Sequence, residues 1–148
     1  MRTGLPRIYV ATAQAWDDEM RTRIADHRDR REGWTTVEAP RDVAGVLAEV
    51  SGRVVLLDCA TLWLTNVMLG GGDVAAEETA LLAALRACTC PVVVVTNEVG
   101  LSIVPENALA RAFRDAQGRL NQRMAAQAGL VVAVWAGLPL VLKGASPW

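Results

Sequence analysis

The sequence predicts an α/β fold, a mostly parallel β-sheet with helices on both of its faces. Short apolar segments rich in β-branched residues recur without polar interruption, the pattern of strands buried on both sides. Longer segments of helical periodicity separate them, and that alternation makes crossover helices over a parallel sheet. No linker, repeat or low-complexity tract divides the 148 residues, so residues 1–148 are expected to form one domain.

The elements follow in order. Gly4-Leu5-Pro6 reads as the end of a helix handing over to a strand, yet almost nothing precedes it. "RIYVAT" (7–12) is the first strand. A helix follows from about Asp17 to Arg31, with Asp17 or Asp18 as its N-cap. A second helix covers 41–50, and "RVVLLD" (53–58) is the next strand. Helices over 61–69 and 75–87 lead to the strand "PVVVVTN" (91–97). The helix over 106–127 sets Leu109, Phe113, Ala116, Leu120 and Met124 on one core-facing stripe. "LVVAVW" (130–135) and "LPLVLK" (138–143), joined through "AGLP", predict a hairpin and an antiparallel edge near the C-terminus.

Composition excludes several functions. Fifteen basic and 16 acidic residues leave a net charge of −1, which rules out a sequence-independent grip on nucleic acid or anionic membrane. Three cysteines, an odd number, fit a reducing compartment better than a disulfide framework. Cys88 and Cys90 lack a second ligand pair, which argues against zinc. The apolar runs are too short for a membrane span or signal peptide, so a cytoplasmic protein is expected.

Ligands of parallel sheets bind at the carboxyl ends of the strands. Here those ends are "ATAQ" (11–14), "DCATLW" (58–63) and "TNEVG" (96–100). His27, the only histidine, lies among Arg28, Arg30 and Arg31. Such a cluster suits an anionic ligand, or a nucleophile that accepts a phosphoryl or nucleotidyl group. The competing reading puts His27 at the core edge beside Met20 and Ile24, with the arginines paired to Asp26, Asp29 and Glu32. Asp58, ending an apolar strand, either holds Mg²⁺ or its water, or caps the next helix. Asn97 and Glu98 either serve a ligand or only satisfy nearby backbone. Trp16, Trp34, Trp63 and Trp135 read as core or interface residues.

Three long segments, in order, carry a resemblance over about Ile8 to Lys143. They are "YVATAQAWDDEMRTRIADHRDRREGWTTVEAP", "LLDCATLWLTN" and "VTNEVGLSIVPENALARAFRDAQGRLNQRMA". Together they resemble the bifunctional adenosylcobinamide kinase / adenosylcobinamide-phosphate guanylyltransferase family of cobalamin biosynthesis. The resemblance implies a P-loop NTPase-like, RecA-like fold and a homotrimer. It implies phosphorylation of adenosylcobinamide from ATP or GTP, then transfer of GMP from GTP to that phosphate. It implies Mg²⁺ as cofactor, held by Asp58 directly or through water, and a guanylylated histidine, by position His27. Ala11, Thr12, Ala13, Arg28, Asp29, Arg30, Arg31, Glu38 and Asp58 match the family's nucleotide contacts.

One departure stands out. The family's first strand, phosphate loop and first helix have no counterpart here: no G-x-x-x-x-G-K-[ST] occurs, and the only lysine is Lys143. The expectation is a truncated chain with Met1 inside that first helix, an unpaired ladder edge within the sheet, poor stability and little activity. The alternative expectation is a non-catalytic paralogue that binds guanine nucleotide or a corrinoid, or a partner subunit.

Overall fold

The computed structural model describes residues 4–29 and 31–146, without the side chains of Arg23 and Asp29. The helix expected before Gly4 lies outside the described residues; Gly4 itself takes φ 66°, the left-handed conformation of a helix-ending glycine.

Eleven elements run in the order β1 (Arg7–Ala11), α1 (Asp18–Asp29), β2 (Trp34–Glu38), α2 (Val43–Glu49), β3 (Val54–Asp58), α3 (Ala60–Leu69), α4 (Val74–Ala87), β4 (Val92–Val95), α5 (Ala108–Gln127), β5 (Val131–Trp135) and β6 (Leu138–Lys143). Strands β1 to β4 form a wholly parallel sheet in the order β2-β1-β3-β4. One strand was absent from the apolar pattern. "WTTVE" mixes polar and apolar residues and has no buried position, because β2 is an edge strand.

One face of the sheet carries the core. Ile8 and Val10 of β1 and Val55 and Leu57 of β3 pack there with Leu47 of α2, Leu81 of α4 and Leu120 of α5. Trp63 of α3 is buried with them, and its indole N–H donates to the Arg41 carbonyl at 2.9 Å. The predicted α5 stripe holds for Phe113, Ala116, Leu120 and Met124, whereas Leu109 at the first turn is exposed. The opposite face bears Arg7, Tyr9 and Ala11 of β1 and Asp58 of β3, by the two-residue alternation of the strands. Its far side is bare, with Val93 of β4 55% exposed.

The hairpin forms where the sequence places it. It is a separate two-stranded sheet, however, and does not hydrogen-bond to the parallel one. Lys143 anchors it, donating to the carbonyls of Ala125 and Ala126 at the end of α5, both at 2.9 Å. Trp135 in this hairpin is 72% exposed, and Trp16 is exposed too, so neither belongs to the core.

Helix starts are set by side chains. Asp17 accepts from the Met20 amide, which settles it as the α1 N-cap; Asp42, Asp73 and Asn107 cap α2, α4 and α5 in the same way. Helix α1 is shorter than the 17–31 expected, because the chain turns through Gly33 at φ 77° to enter β2. A Cβ on Gly33 would lie 3.1 Å from the Arg7 guanidinium, so the turn favours glycine for space as well as for φ.

Candidate active site

The parallel register lines up the carboxyl ends of three strands. Ala11 pairs with Glu38 on one side and Asp58 on the other, so these three predicted site residues form one row. Beside them Thr12 turns inward and is fully buried. Its hydroxyl donates to the Cys59 carbonyl and accepts from the Cys59 amide, both at 2.8 Å. The Thr12 side chain therefore ties the ends of β1 and β3 together. Asn66 of α3 extends the tie by donating to the carbonyls of Thr12 and Pro40, at 2.8 and 2.9 Å. Helix α3 thus lies across the strand ends, with Ala13 half-buried beside it.

Asp58 does not cap α3. The N-cap is Cys59, whose sulfur accepts from the Leu62 amide. The Asp58 carboxylate instead accepts a hydrogen bond from the Tyr9 hydroxyl. Burial first, then that hydrogen bond and the Asp58 charge, push the Tyr9 phenol well above its ordinary value; the Arg31 guanidinium partly opposes them.

The basic cluster reaches the same row from the end of α1. Arg28 donates to the Glu38 carboxylate at 3.0 Å, an ion pair open to solvent on both sides. Arg31 stacks its guanidinium 3.6 Å from the Tyr9 ring centroid, and its Nε donates to the His27 carbonyl at 2.6 Å. Its Nη1 is buried and has no hydrogen-bond partner among the described residues. His27 itself is exposed, so it does not pack at the core edge. Asp29 ends the helix, and Arg30 lies outside the described residues.

Asn97 and Glu98 are held next to this row. The Asn97 amide and side chain both donate to the Thr61 hydroxyl at 3.0 Å, and Asn121 of α5 donates to Glu98 at 2.7 Å. Glu98, Gly100, Arg114 and Arg119 line a shallow cavity of about 340 Å³ on the α5 side of that loop. Glu98 is the one candidate of the strand-end loops singled out by residue that lines it; none of the nucleotide contacts that the resemblance implies does.

As a metal site the row offers the Asp58 carboxylate, since Glu38, its other acid, is paired with Arg28. One Asp58 oxygen is taken by Tyr9, and no group of three or more acidic, histidine or cysteine side chains able to hold a metal occurs among the described residues. That donor set fits Mg²⁺ carried largely by nucleotide phosphates and water, and does not form a closed protein cage.

Tyr9 is the residue that sequence reasoning passed over. Strand alternation, which sets it on the same face as Ala11 two positions before the loop, is the signal that could have found it.

A parallel α/β sheet with polar and basic side chains gathered at its carboxyl edge defines the class of open α/β proteins that bind their ligands at the strand ends. Within that class, a sequence model of the cobinamide kinase / cobinamide phosphate guanyltransferase family matches residues 1–142, and the chain belongs to that family. The bifunctional adenosylcobalamin biosynthesis protein CobP of Pseudomonas aeruginosa is 43% identical over 147 residues, covering 96% of this chain and 85% of that protein. The CobU proteins of Escherichia coli and Salmonella typhimurium, which carry the same description, are 42% and 43% identical over 154 residues. Each alignment covers 92% of this chain and 85% of the relative. Among the described residues no helix is long and apolar enough to cross a membrane.

Proposed function

We propose that this chain carries the guanylyl-transfer centre of a cytoplasmic, homotrimeric adenosylcobinamide kinase and adenosylcobinamide-phosphate guanylyltransferase, with His27 as nucleophile. The observation that supports this reading is the convergence of Arg28 on Glu38, and of Arg31 on Tyr9, whose hydroxyl donates to Asp58; together they dock the His27 end of α1 at the strand ends. The neutral imidazole of His27 attacks the α-phosphorus of GTP. An N–P bond forms, the P–O bond to pyrophosphate breaks, and pyrophosphate leaves. A phosphate oxygen of adenosylcobinamide phosphate then displaces the imidazole, giving adenosylcobinamide-GDP. Arg28, Arg30 and Arg31 offer fixed positive charge to the phosphate oxygens, while Ala11, Thr12, Ala13 and Glu38 shape the nucleotide's seat. Mg²⁺ bound beside Asp58 supplies charge neutralisation at those oxygens.

The kinase half of the reaction has weaker support in this chain. Its sequence holds no phosphate-loop motif, and its only lysine is engaged at the end of α5. We therefore propose that residues 1–148 alone turn over slowly, since backbone amides and a lysine that cradle phosphate contribute several kcal/mol to such reactions. Supplying the purified chain with cobinamide, ATP, GTP and Mg²⁺, and following cobinamide phosphate and cobinamide-GDP separately, tests both statements. Formation of both products at ordinary enzymatic rates would refute the slow-turnover reading. The alternative reading is a non-catalytic paralogue that binds nucleotide or corrinoid. Nucleotide binding with no guanylylated protein would support that reading and end the first.

A further inference from the structure

Tyr9 touches both halves of the site, and no role follows for it from the fold. Its ring is the seat of the Arg31 guanidinium at 3.6 Å, and meets Trp34 edge-on at 6.4 Å between centroids. Its hydroxyl donates to Asp58. The residue is only 6% exposed, so both contacts are partly screened from water. Arg31 in turn holds the His27 carbonyl, its Nη1 is buried without a hydrogen-bond partner, and among the described residues no ion pair to a carboxylate is formed by it. The aromatic ring and one carbonyl set its place.

From this we infer that Tyr9 is a positioning residue for guanylyl transfer, with two separable duties. Its ring seats Arg31 and so docks the His27 end of α1 on β1. Its hydroxyl fixes one oxygen of Asp58, so that the other would be available to a metal–nucleotide complex. The inference rests on the nucleotide reading above for its second duty, while the first concerns this chain's own packing.

The two duties part under substitution. Tyr9→Phe keeps the ring and removes the hydroxyl; Tyr9→Leu removes both. Amide hydrogen exchange of the full chain reads the docking without any turnover. In Tyr9→Leu the amides of residues 26–29 exchange at least tenfold faster, while those of β3 keep their wild-type rates. In Tyr9→Phe both segments behave as wild type. GTP binding, titrated with and without Mg²⁺, reads the hydroxyl. Tyr9→Phe weakens binding three- to tenfold in Mg²⁺ and leaves metal-free binding unchanged, a split that a merely structural role would not produce.

Unchanged exchange in Tyr9→Leu overturns the docking duty. Mg²⁺ titrations of Tyr9→Phe that superimpose on wild type overturn the Asp58 duty. A wild-type chain that binds no GTP in either condition overturns the nucleotide reading and the Asp58 duty with it, and the exchange comparison still decides the docking.

Discussion

Tyr9 concentrates the site's polar order in one phenol, and its protonation is coupled to folding. The folded protein holds the phenol's proton more tightly than the unfolded chain, where it titrates near its ordinary value of 10.0. Tyr9 therefore contributes its full stabilisation below about pH 10, and that contribution is lost as pH rises above it. Urea denaturation of wild type and Tyr9→Phe from pH 8 to 11 checks the sign: the wild type loses more stability than the variant across that range. Asn66 supports the same strand ends through two buried carbonyls. Asn66→Ala leaves both acceptors unmet and is expected to cost about 1–3 kcal/mol in the same measurement. Trp63→Ala empties the largest fully buried side-chain site and is expected to cost about 3–5 kcal/mol. Single residues were legible in the sequence to different depths. His27 stood out as the sole histidine among arginines. The choice between cap and ligand for Asp58 was not legible, because it depends on Tyr9, 49 positions away.

At the scale of elements, α1 and α5 contrast. Helix α1 is mostly exposed and is held by contacts at its last turn and just beyond, Arg28 to Glu38 and Arg31 to Tyr9. Helix α5 is anchored along its length, by Ala116, Leu120 and Met124 in the core and by Gln117 and Asn121 on the loop after β4. Its cap accepts two amides, from Leu109 and Ala110, so Asn107→Ala is expected to cost about 1 kcal/mol in a thermal or urea melt. The buried parallel strands and the α5 stripe were readable because burial on one or two faces imposes a period on the sequence. Strand β2 escaped because an edge strand needs no continuous apolar run. The network joining Thr96, Asn97 and Glu98 to α5 was unreadable for another reason. Its partners lie 21 to 25 positions apart, and only the fold sets that spacing.

At the scale of the molecule, the described structure leaves apolar surface uncovered. Val93 and Val95 of β4 and Val134, Trp135, Leu138 and Leu140 of the hairpin all face solvent, while β4 pairs with a strand only on its β3 side. Open ladder edges beside exposed apolar residues promote association. Sedimentation of residues 1–148 at rising concentration should therefore show self-association, and Val93→Thr with Trp135→Ser should reduce it. A wild-type chain that stays monomeric throughout would show that this surface is innocuous. Guanylylation of His27 can be observed on the protein itself. The chain is incubated with Mg²⁺ and GTP labelled at the α-phosphate, and the protein-bound label is mapped by mass spectrometry. One acid-labile guanylyl group is expected on His27, accumulating slowly, and none on His27→Ala. Label retained by His27→Ala, or mapped to another residue of the wild type, would contradict that expectation.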